Sequence, residues 1–347
     1  MKLGDRLPLD LPLNVENLSF LKQMGADQVM VRIPTGSHAA ENVPVINPTK
    51  HPLLSKLAFG DYWETENLLA LKSQCAGSGL ELCGLLMTPF KGDKIILGLP
   101  GRDEQIDSWC KSLTNMGKAG IPMLQIMWVI NARSWLSNWR TTDQTLGRGG
   151  ARMVSFDYEV AKKIPVADFG EVSEEKMWDN LTYFYKAVIP VAEKVHVKIV
   201  MHPADPQVPS ITGVARIIRS IEAYDRMFKI APSESNSMVF CLGCFSQMMD
   251  AENVYKAIKH FGSRGKIGYV HLRDIRGTLE KFDEVYPDEG QLDMFKAVST
   301  LSEAGFKGPI HPDHTPHTTG DTEYGHRGHA FALGYIKALL QAAGALD

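Results

Sequence analysis

The sequence predicts an α/β protein, a single (β/α)8 barrel that spans residues 1–347 and carries enlarged loops after its strands. Apolar runs typical of strands alternate with stretches typical of helices, and the alternation yields eight strand–helix pairs. About 350 residues suits one such barrel with long loops. In the second half, four consecutive apolar runs each end at a side chain that can bind a metal ion. Because active sites of this fold lie at the carboxyl ends of its strands, these side chains predict a metal site there.

The first half of the chain supplies four strands and the helices that connect them. Strands are predicted at 3–9, 27–33, 80–87 and 121–130, and helices at 15–24, 62–76, 103–117 and 174–195. Asn14 is a suitable N-cap for the first of these helices and Ser173 for the last. Residues 34–56 are rich in Pro, Gly, Ser and Asn, and we expect them to form a long functional loop.

The longest irregular stretch is predicted at 131–171. It contains Gly147-Arg-Gly-Gly150, whose glycines permit unusual backbone angles and close approach to a ligand. No Gly-Lys-Ser/Thr closes this segment, so it does not fit a P-loop. Two interpretations stay open. The stretch is either a mobile surface excursion or a loop that covers the catalytic face, where its place after a strand would put it.

The second half supplies the four strands that carry the candidate ligands. These strands are predicted at 197–202, 238–241, 267–271 and 309–313, and the helices at 213–223, 251–261, 292–304 and 328–343. The strands end at His202, Cys241, His271 and Asp313, which we call the four candidate ligands. They offer two nitrogens, a sulfur and an oxygen, a mixed set that leaves Zn, Fe and Mn open.

Each candidate ligand also has a purely structural interpretation. A cysteine or histidine on an apolar strand is often only a packed side chain. We favour Cys241 over Cys244 as the ligand, because Cys244 lies three residues further on, in a predicted loop, where it would approach a substrate. Asp205 closely follows His202 and could orient its imidazole by accepting a hydrogen bond.

Two arginines are candidates for binding a substrate carboxylate, since a guanidinium can grip it with two hydrogen bonds. Arg273 lies two residues beyond His271, so both side chains point the same way if the strand persists. A salt bridge with Asp274 or Glu284 is the structural alternative for Arg273. The second candidate is Arg148, in the glycine-rich stretch.

A metal that polarises a substrate oxygen also needs an acid and a base beside it. His314 directly follows the candidate ligand Asp313, and histidine titrates in a range suited to either role. Tyr324 is the candidate for the second group.

Composition excludes several classes of partner. The net charge is −3 and the sequence pI is about 6.4. No basic block stands out, which argues against a nucleic-acid partner. The longest apolar runs are far short of the roughly 18 residues of a membrane span, and the N-terminus lacks the apolar core of a signal peptide. Five cysteines without clustering are typical of a reducing compartment, so we predict a cytoplasmic protein without a membrane partner.

Several motifs together resemble those of the mannonate dehydratases, within the xylose-isomerase-like group of TIM barrels. In chain order they are His202-Pro-Ala-Asp-Pro, Phe240-Cys-Leu-Gly, Val270-His-Leu-Arg and Ala304-Gly-Phe-Lys-Gly-Pro-Ile-His-Pro-Asp-His. The Gly-Arg-Gly-Gly-Ala stretch followed by Phe156-Asp is similar as well. The resemblance covers most of the chain.

The resemblance implies an activity and roles for particular residues. The implied reaction dehydrates D-mannonate to 2-keto-3-deoxy-D-gluconate, within the breakdown of sugar acids such as glucuronate. A proton next to the carboxylate is removed and the 3-hydroxyl leaves as water. The resemblance implies that the four candidate ligands hold one divalent ion, Mn or Fe before Zn. It also implies that His314 and Tyr324 form the acid/base pair, and that the enzyme is a homo-oligomer.

Some positions near these motifs depart from the family pattern, among them Ala204, Gln207, Cys244 and Thr315. All four candidate ligands are retained, so a divergent member could act on another aldonic acid. The main alternative is a sugar isomerase or epimerase that works through an enediolate. A dehydratase differs from an isomerase or epimerase because it needs a fixed cationic side chain near the metal ion to hold the substrate carboxylate. A sugar-binding barrel without turnover and metal-assisted hydrolysis are the remaining alternatives.

Overall fold

In the computed structural model, a closed barrel of parallel strands forms the centre of the protein. The structure describes residues 1–7, 13–33, 52–59, 61–87, 92–130, 140–322 and 324–346. Within these ranges the barrel strands are Lys2–Leu7, Gln28–Arg32, Glu81–Met87, Met123–Met127, Lys198–His202, Asn236–Cys241, Ile267–Leu272 and Pro309–Pro312. Each barrel strand pairs with the next one along the chain, and the last pairs with the first. The predicted (β/α)8 fold is confirmed.

Helices alternate with these strands, and most of them share one hydrophobic core with the barrel, whereas Tyr158–Ala161 packs beside residues 152–157. They cover Val15–Gln23, Pro52–Phe59, Thr65–Gly77, Asp93–Leu97, Arg102–Ala119, Tyr158–Ala161, Glu174–Lys194, Ile221–Ile230, Leu242–Met248, Ala251–Gly262, Met294–Glu303 and His326–Ala342. Both predicted caps are confirmed: the side chain of Asn14 accepts from the Asn17 amide at 2.9 Å, and that of Ser173 from the Lys176 amide at 3.2 Å. Among the described helices, none has both the length and the apolar character needed to cross a membrane.

Two hairpins that are distant in sequence join into a four-stranded antiparallel sheet. Its strands, in spatial order, are Asp274–Gly277, Lys281–Val285, Arg152–Asp157 and Thr142–Leu146. The first of them continues almost directly from the barrel strand Ile267–Leu272, so this sheet stands beside the carboxyl ends of the barrel strands. Phe156 and Phe282 join the hairpins, with ring centroids 5.5 Å apart.

The prediction of an irregular stretch at 131–171 is therefore wrong for much of its described part, which contains two strands and a short helix. Residues 131–139 lie outside the described residues. The reason for the error is that the strand Thr142–Leu146 has no fully buried residue and shows no apolar alternation, so only its pairing identifies it.

Two further expectations on secondary structure need correction. The helix predicted at 213–223 is replaced by a small hairpin, Ser210–Ile211 with Val214–Ala215, followed by a helix at Ile221–Ile230. Thr212 and Gly213 both have positive φ, which turns the chain too tightly for a helix. The expected loop at 34–56 ends earlier than predicted, because a helix begins at Pro52, a residue suited to the first helical position. Residues 34–51 lie outside the described residues.

The barrel interior is filled by side chains rather than open. Six consecutive barrel strands each contribute one buried side chain to a layer across the barrel: Met30, Cys83, Met123, Val200, Val239 and Tyr269. Such layers are typical of this fold and close the barrel below its catalytic face. Tyr269 lies two residues before the candidate ligand His271, so the metal site rests directly on this packed layer.

Candidate metal centre

The four candidate ligands meet at the carboxyl end of the barrel. His202, Cys241, His271 and Asp313 each offer one ligand atom, and these atoms all lie within 4.8 Å of one another. The side chains are buried, with at most 3% of each residue exposed. His271 Nδ1 lies 3.2 Å from His202 Nε2 and 3.5 Å from Asp313 Oδ2. Two imidazoles, a thiol and a carboxylate at this spacing form a donor set that fits one divalent ion.

The surroundings of Cys241 favour its metal-binding form. Burial by itself would raise the pKa of the thiol. A hydrogen bond with Cys244, the nearby Arg273 guanidinium, and hydrogen bonds with His202 and His271 outweigh that effect and hold the pKa well below its ordinary value. The thiolate is the form of cysteine that binds metals, so this position is prepared for a metal ion.

Hydrogen bonds behind the two histidines fix which ring nitrogen faces the cluster. His202 Nδ1 donates to the Pro203 carbonyl at 2.7 Å, which leaves Nε2 unprotonated toward the other ligands. On His271, Nε2 lies 2.5 Å from the Tyr269 hydroxyl, which also contacts Gln125 Oε1. Because Tyr269 donates to Gln125, it accepts from His271 Nε2, and His271 Nδ1 is free for a metal. The expectation that Asp205 orients His202 is wrong, since the Pro203 carbonyl does so.

We expect Tyr269→Phe to raise the dissociation constant of the metal about 10–100-fold, the usual effect of losing a hydrogen bond behind a histidine ligand. Isothermal titration of metal-stripped protein with Mn²⁺ measures the change. Tyr185→Phe is the matched control, because among the described residues the buried Tyr185 hydroxyl has no hydrogen-bond partner. Equal affinities for the two variants would contradict the role of Tyr269.

A second cluster adjoins the ligands and consists of Asp205, Glu284 and His314. Two buried arginines neutralise its carboxylates. Arg140 Nη2 lies 2.8 Å from Asp205 Oδ2 and also contacts Glu284, while Arg273 lies 2.7 Å from Asp205 and 2.9 Å from Glu284. The two guanidiniums hold the pKa values of both carboxyls below their usual range, against the effect of burial. With two cations already present, we do not assign a second metal site here.

Arg273 binds protein carboxylates on all sides. Besides Asp205 and Glu284, its Nε lies 2.8 Å from Asp313 Oδ2, and its Nη2 lies 3.3 Å from Cys244 Sγ. Only 1% of the side chain is exposed. The predicted alternative, a salt bridge of Arg273 with Glu284, is confirmed. The guanidinium therefore fixes Asp313 and joins it to Asp205 and Glu284.

The structure does not bring Arg148 to the metal cluster. Its Nη1 lies 2.7 Å from Asp288 Oδ2, its guanidinium stacks over the Tyr286 ring at 4.7 Å, and 44% of the side chain is exposed. Arg6, which the sequence analysis did not single out, is nearer: its Nη1 lies 2.8 Å from Asp313 Oδ1, and 21% of its side chain is exposed.

Of the two candidate acid/base residues, His314 lies beside Asp313, and Tyr324 contacts Arg6, which in turn contacts Asp313. His314 Nδ1 contacts both oxygens of Glu284, at 2.8 and 2.9 Å, and its Nε2 lies 3.7 Å from Asp313 Oδ1. The Tyr324 hydroxyl lies 3.4 Å from the carbonyl of Arg6, whose guanidinium contacts Asp313. Cys244 touches the cluster too, but it belongs to the helix Leu242–Met248, so its predicted place in a loop is wrong.

Sequence reasoning missed three charged residues of the site. Arg6 and Asp5 lie at the end of the first barrel strand, and that position could have identified them. Arg140 lies many residues beyond the end of a barrel strand, so its position in the sequence did not mark it as a site residue. It comes from the stretch 131–171, for which covering the catalytic face was one of two open interpretations, and it contributes a buried guanidinium to the site.

The fold and this site define a class of protein, the metal-dependent enzymes built on a (β/α)8 barrel with ligands at the strand ends. A family model described as D-mannonate dehydratase (UxuA) matches residues 159–346. A mannonate dehydratase from Streptococcus agalactiae serotype V is 31% identical over 314 residues, which cover 82% of this chain and 88% of that protein. The chain belongs to the mannonate dehydratase family, as its motifs predicted, and is by that membership a hydro-lyase.

Other similar proteins agree with this assignment. A mannonate dehydratase from Thermotoga maritima is 28% identical over 327 residues, covering 83% of this chain and 89% of that protein. The crystal structure of mannonate dehydratase from Streptococcus suis serotype 2 aligns with a TM-score of 0.78 and 26% identity, covering 100% of this chain and 95% of that one. D-psicose 3-epimerase from Clostridium cellulolyticum H10, with a TM-score of 0.60, 13% identity and coverage of 98% and 99%, shares the fold alone.

Proposed function

We propose that this protein dehydrates D-mannonate, or a closely similar aldonic acid, to a 2-keto-3-deoxy acid with one bound Mn²⁺ or Fe²⁺. The observation that carries the proposal is the convergence of the four candidate ligands beside His314, with Tyr324 linked to Asp313 through Arg6. Membership of the mannonate dehydratase family favours this reaction over the isomerase or epimerase alternative.

His202, Cys241, His271 and Asp313 would hold the ion. When bound there, a divalent ion supplies Lewis-acid polarisation of the substrate oxygens, which makes the carbon–hydrogen bond next to the carboxylate more acidic. The thiolate favours a softer ion such as Fe²⁺, and the carboxylate also suits Mn²⁺, so the donor set accommodates both.

His314 is the proposed base. Its Nδ1 contacts Glu284, which accepts the proton on that nitrogen and leaves Nε2 to take the proton from the substrate carbon. The Glu284 carboxylate then stabilises the imidazolium that forms. The electron pair of the broken carbon–hydrogen bond forms the carbon–carbon double bond as the 3-hydroxyl leaves.

Tyr324 is the proposed acid. Burial and the neighbouring Asp5 raise the pKa of its hydroxyl well above the ordinary value, so the group is protonated at neutral pH. It would give its proton to the departing 3-hydroxyl, which leaves as water. The resulting enol then becomes the 2-keto product.

In this proposal Cys244 and Arg273 lie beside the bound substrate, because both contact the ligand cluster. Arg273 would act mainly by holding Asp313 and Glu284, since its guanidinium is almost fully buried. Arg148 would reach a substrate only after leaving Asp288.

The test is a 2-keto-3-deoxy-acid assay on a panel of aldonic acids, with metal-stripped protein that has been reloaded with Mn²⁺ or Fe²⁺. We expect product from D-mannonate that depends on added metal. Activity on a different acid would keep the reaction and change the substrate. No product from any acid, by protein that binds one divalent ion tightly, would reject the lyase and favour an isomerase or epimerase.

We further propose that the protein works in the cytoplasm as a homo-oligomer in sugar-acid breakdown. The near-neutral charge and the described cysteines, all of them free thiols, support a reducing compartment without nucleic-acid partners. Light scattering coupled to size-exclusion chromatography tests the assembly, since a mass equal to the 38.5 kDa chain would exclude the oligomer.

Replacing Cys241 and Cys244 one at a time should show which of the two cysteines is the metal ligand. We expect Cys241→Ser to raise the dissociation constant of the metal by more than about 10–100-fold, which is the effect of losing a hydrogen bond behind a ligand. The effect is larger here because the substitution removes a ligand itself. Cys244→Ser should keep its metal, since serine can still hydrogen-bond to the Cys241 thiolate. Metal content per chain after dialysis is the measurement, and equal content in both variants would overturn the choice of Cys241.

A further inference from the structure

A buried acid–histidine pair lies behind the hydroxyl of Tyr324. Asp5 comes from the first barrel strand and His329 from the last helix, and they are 0% and 4% exposed. His329 Nδ1 lies 3.0 Å from Asp5 Oδ2, and the Tyr324 hydroxyl lies 3.3 Å from the same oxygen. The Tyr324 hydroxyl is also 3.4 Å from His329 Nδ1, so the three groups form one small network.

Each member of the network is held from more than one side. A carboxylate accepts hydrogen bonds, so His329 Nδ1 and the Tyr324 hydroxyl both donate to Asp5. The other oxygen of Asp5 accepts from the Arg6 amide at 2.7 Å. The rings of Tyr324 and His329 are stacked, with centroids 4.4 Å apart and planes 23° apart. The phenol oxygen is therefore fixed in position and direction.

We propose that Asp5 and His329 are positioning residues that fix the Tyr324 hydroxyl for proton transfer, an inference that rests on the proposed function. The first strand and the last helix meet at this point, so closing the barrel also places the acid. Arg6 follows Asp5 directly and contacts Asp313, which ties the network to the ligand cluster.

The network also explains how a phenol can serve as the acid. Asp5 and burial keep Tyr324 protonated between turnovers. The leaving group is hydroxide, whose conjugate acid, water, is a much weaker acid than a phenol, so even a phenol with a raised pKa can protonate it. The hydroxyl can rotate about its carbon–oxygen bond from Asp5 to the substrate while the oxygen stays in place. Loss of Asp5 or of the His329 donor would let the ring move and misplace the proton.

Steady-state kinetics of the Mn²⁺-loaded enzyme test the proposal. We expect Asp5→Asn and His329→Leu each to lower kcat at least about tenfold with little change in KM, because a general acid contributes about 10²–10⁴-fold and would be only partly misplaced. His329→Asn, whose side-chain amide can replace the Nδ1 donor, should recover part of the loss. In Tyr324→Phe, adding Asp5→Asn should cost almost nothing further, since the group that Asp5 positions is gone.

The matched control is Asp225→Asn. Asp225 forms an exposed pair with His260 at 3.1 Å, outside the site, so the same substitution should leave kcat unchanged. Unchanged kcat in Asp5→Asn, or full additivity with Tyr324→Phe, would overturn the proposal while leaving the proposed function intact.

A second measurement does not need turnover. Carbon-13 NMR of ring-labelled tyrosine, with the Tyr324 signal assigned through Tyr324→Phe, reports where this hydroxyl ionises. In the described residues the charged or titratable groups that face Tyr324 are Asp5, Arg6, His326 and His329. Ionisation at a lower pH in Asp5→Asn than in the unsubstituted protein supports the network. Identical ionisation in the two proteins would reject it even if no aldonic acid is a substrate.

Discussion

Replacing His314 by asparagine should lower kcat by about 10²–10⁴-fold while the protein keeps its metal. His314 lies beside the ligand Asp313 but is not one of the four converging ligands, and asparagine cannot take up a proton at neutral pH. The side-chain amide of asparagine can still donate to Glu284, which His314 Nδ1 contacts at 2.8 Å. The buried carboxylate would therefore not be left alone, and the loss should fall on catalysis rather than on folding.

The measurement combines kcat on the best aldonic acid with metal content per chain. His260→Asn is the control, since His260 is exposed and pairs with Asp225 away from the site. A fully active His314→Asn variant would remove His314 from the mechanism. Loss of metal together with activity would mean that His314 supports the ligand Asp313 instead of acting as the base.

Replacing Arg273 by methionine should lower the free energy of unfolding by about 3–5 kcal/mol, the cost of breaking a buried ion pair by removing one partner. Arg273 lies within 2.9 Å of carboxylate oxygens of Asp205, Glu284 and Asp313, all almost fully buried. Among the described residues, Arg140 would then be the one remaining arginine whose guanidinium contacts the carboxylates of Asp205 and Glu284. Methionine fills much of the space, so the loss of charge dominates the effect.

Urea unfolding in the presence of a chelator measures this change, because bound metal would add its own stabilisation. The control is Arg276→Met on the neighbouring strand, where 60% of the arginine side chain is exposed. Surface substitutions of that kind usually change stability by less than about 0.5 kcal/mol. Equal changes in the two variants would show that the buried carboxylates do not depend on Arg273.

The convergence of the four candidate ligands was predictable because it follows a rule of local sequence. Each of His202, Cys241 and His271 lies at or near the end of an apolar run, and a parallel barrel brings all such ends to one face. A register shift of one residue would have turned these side chains away from the barrel. These strands are buried on both faces and carry no alternation that could exclude such a shift, so the prediction depended on the position of each side chain at the end of its apolar run.

The acid–base surroundings of the ligands were less predictable. Glu284 lies on a hairpin outside the barrel, opposite Ile275, and reaches His314 across 30 residues of the chain. Asp205 follows a strand end as expected, yet it binds two arginines rather than His202. Ion pairs form between charged residues that the fold brings close together. The spacing of residues in the sequence does not predict which charged residues these are.

The sequence by itself determined the barrel, the order of its strands, the four candidate ligands and the family. All of these follow from short-range periodicity and from the residue at each strand end. Only the tertiary structure decided that Arg273 pairs with three buried carboxylates, that Arg148 is partly exposed beside Asp288, and that Asp5 and His329 contact the Tyr324 hydroxyl. The physical reason is that these contacts join segments up to 324 residues apart, and charge and hydrogen bonding act through space.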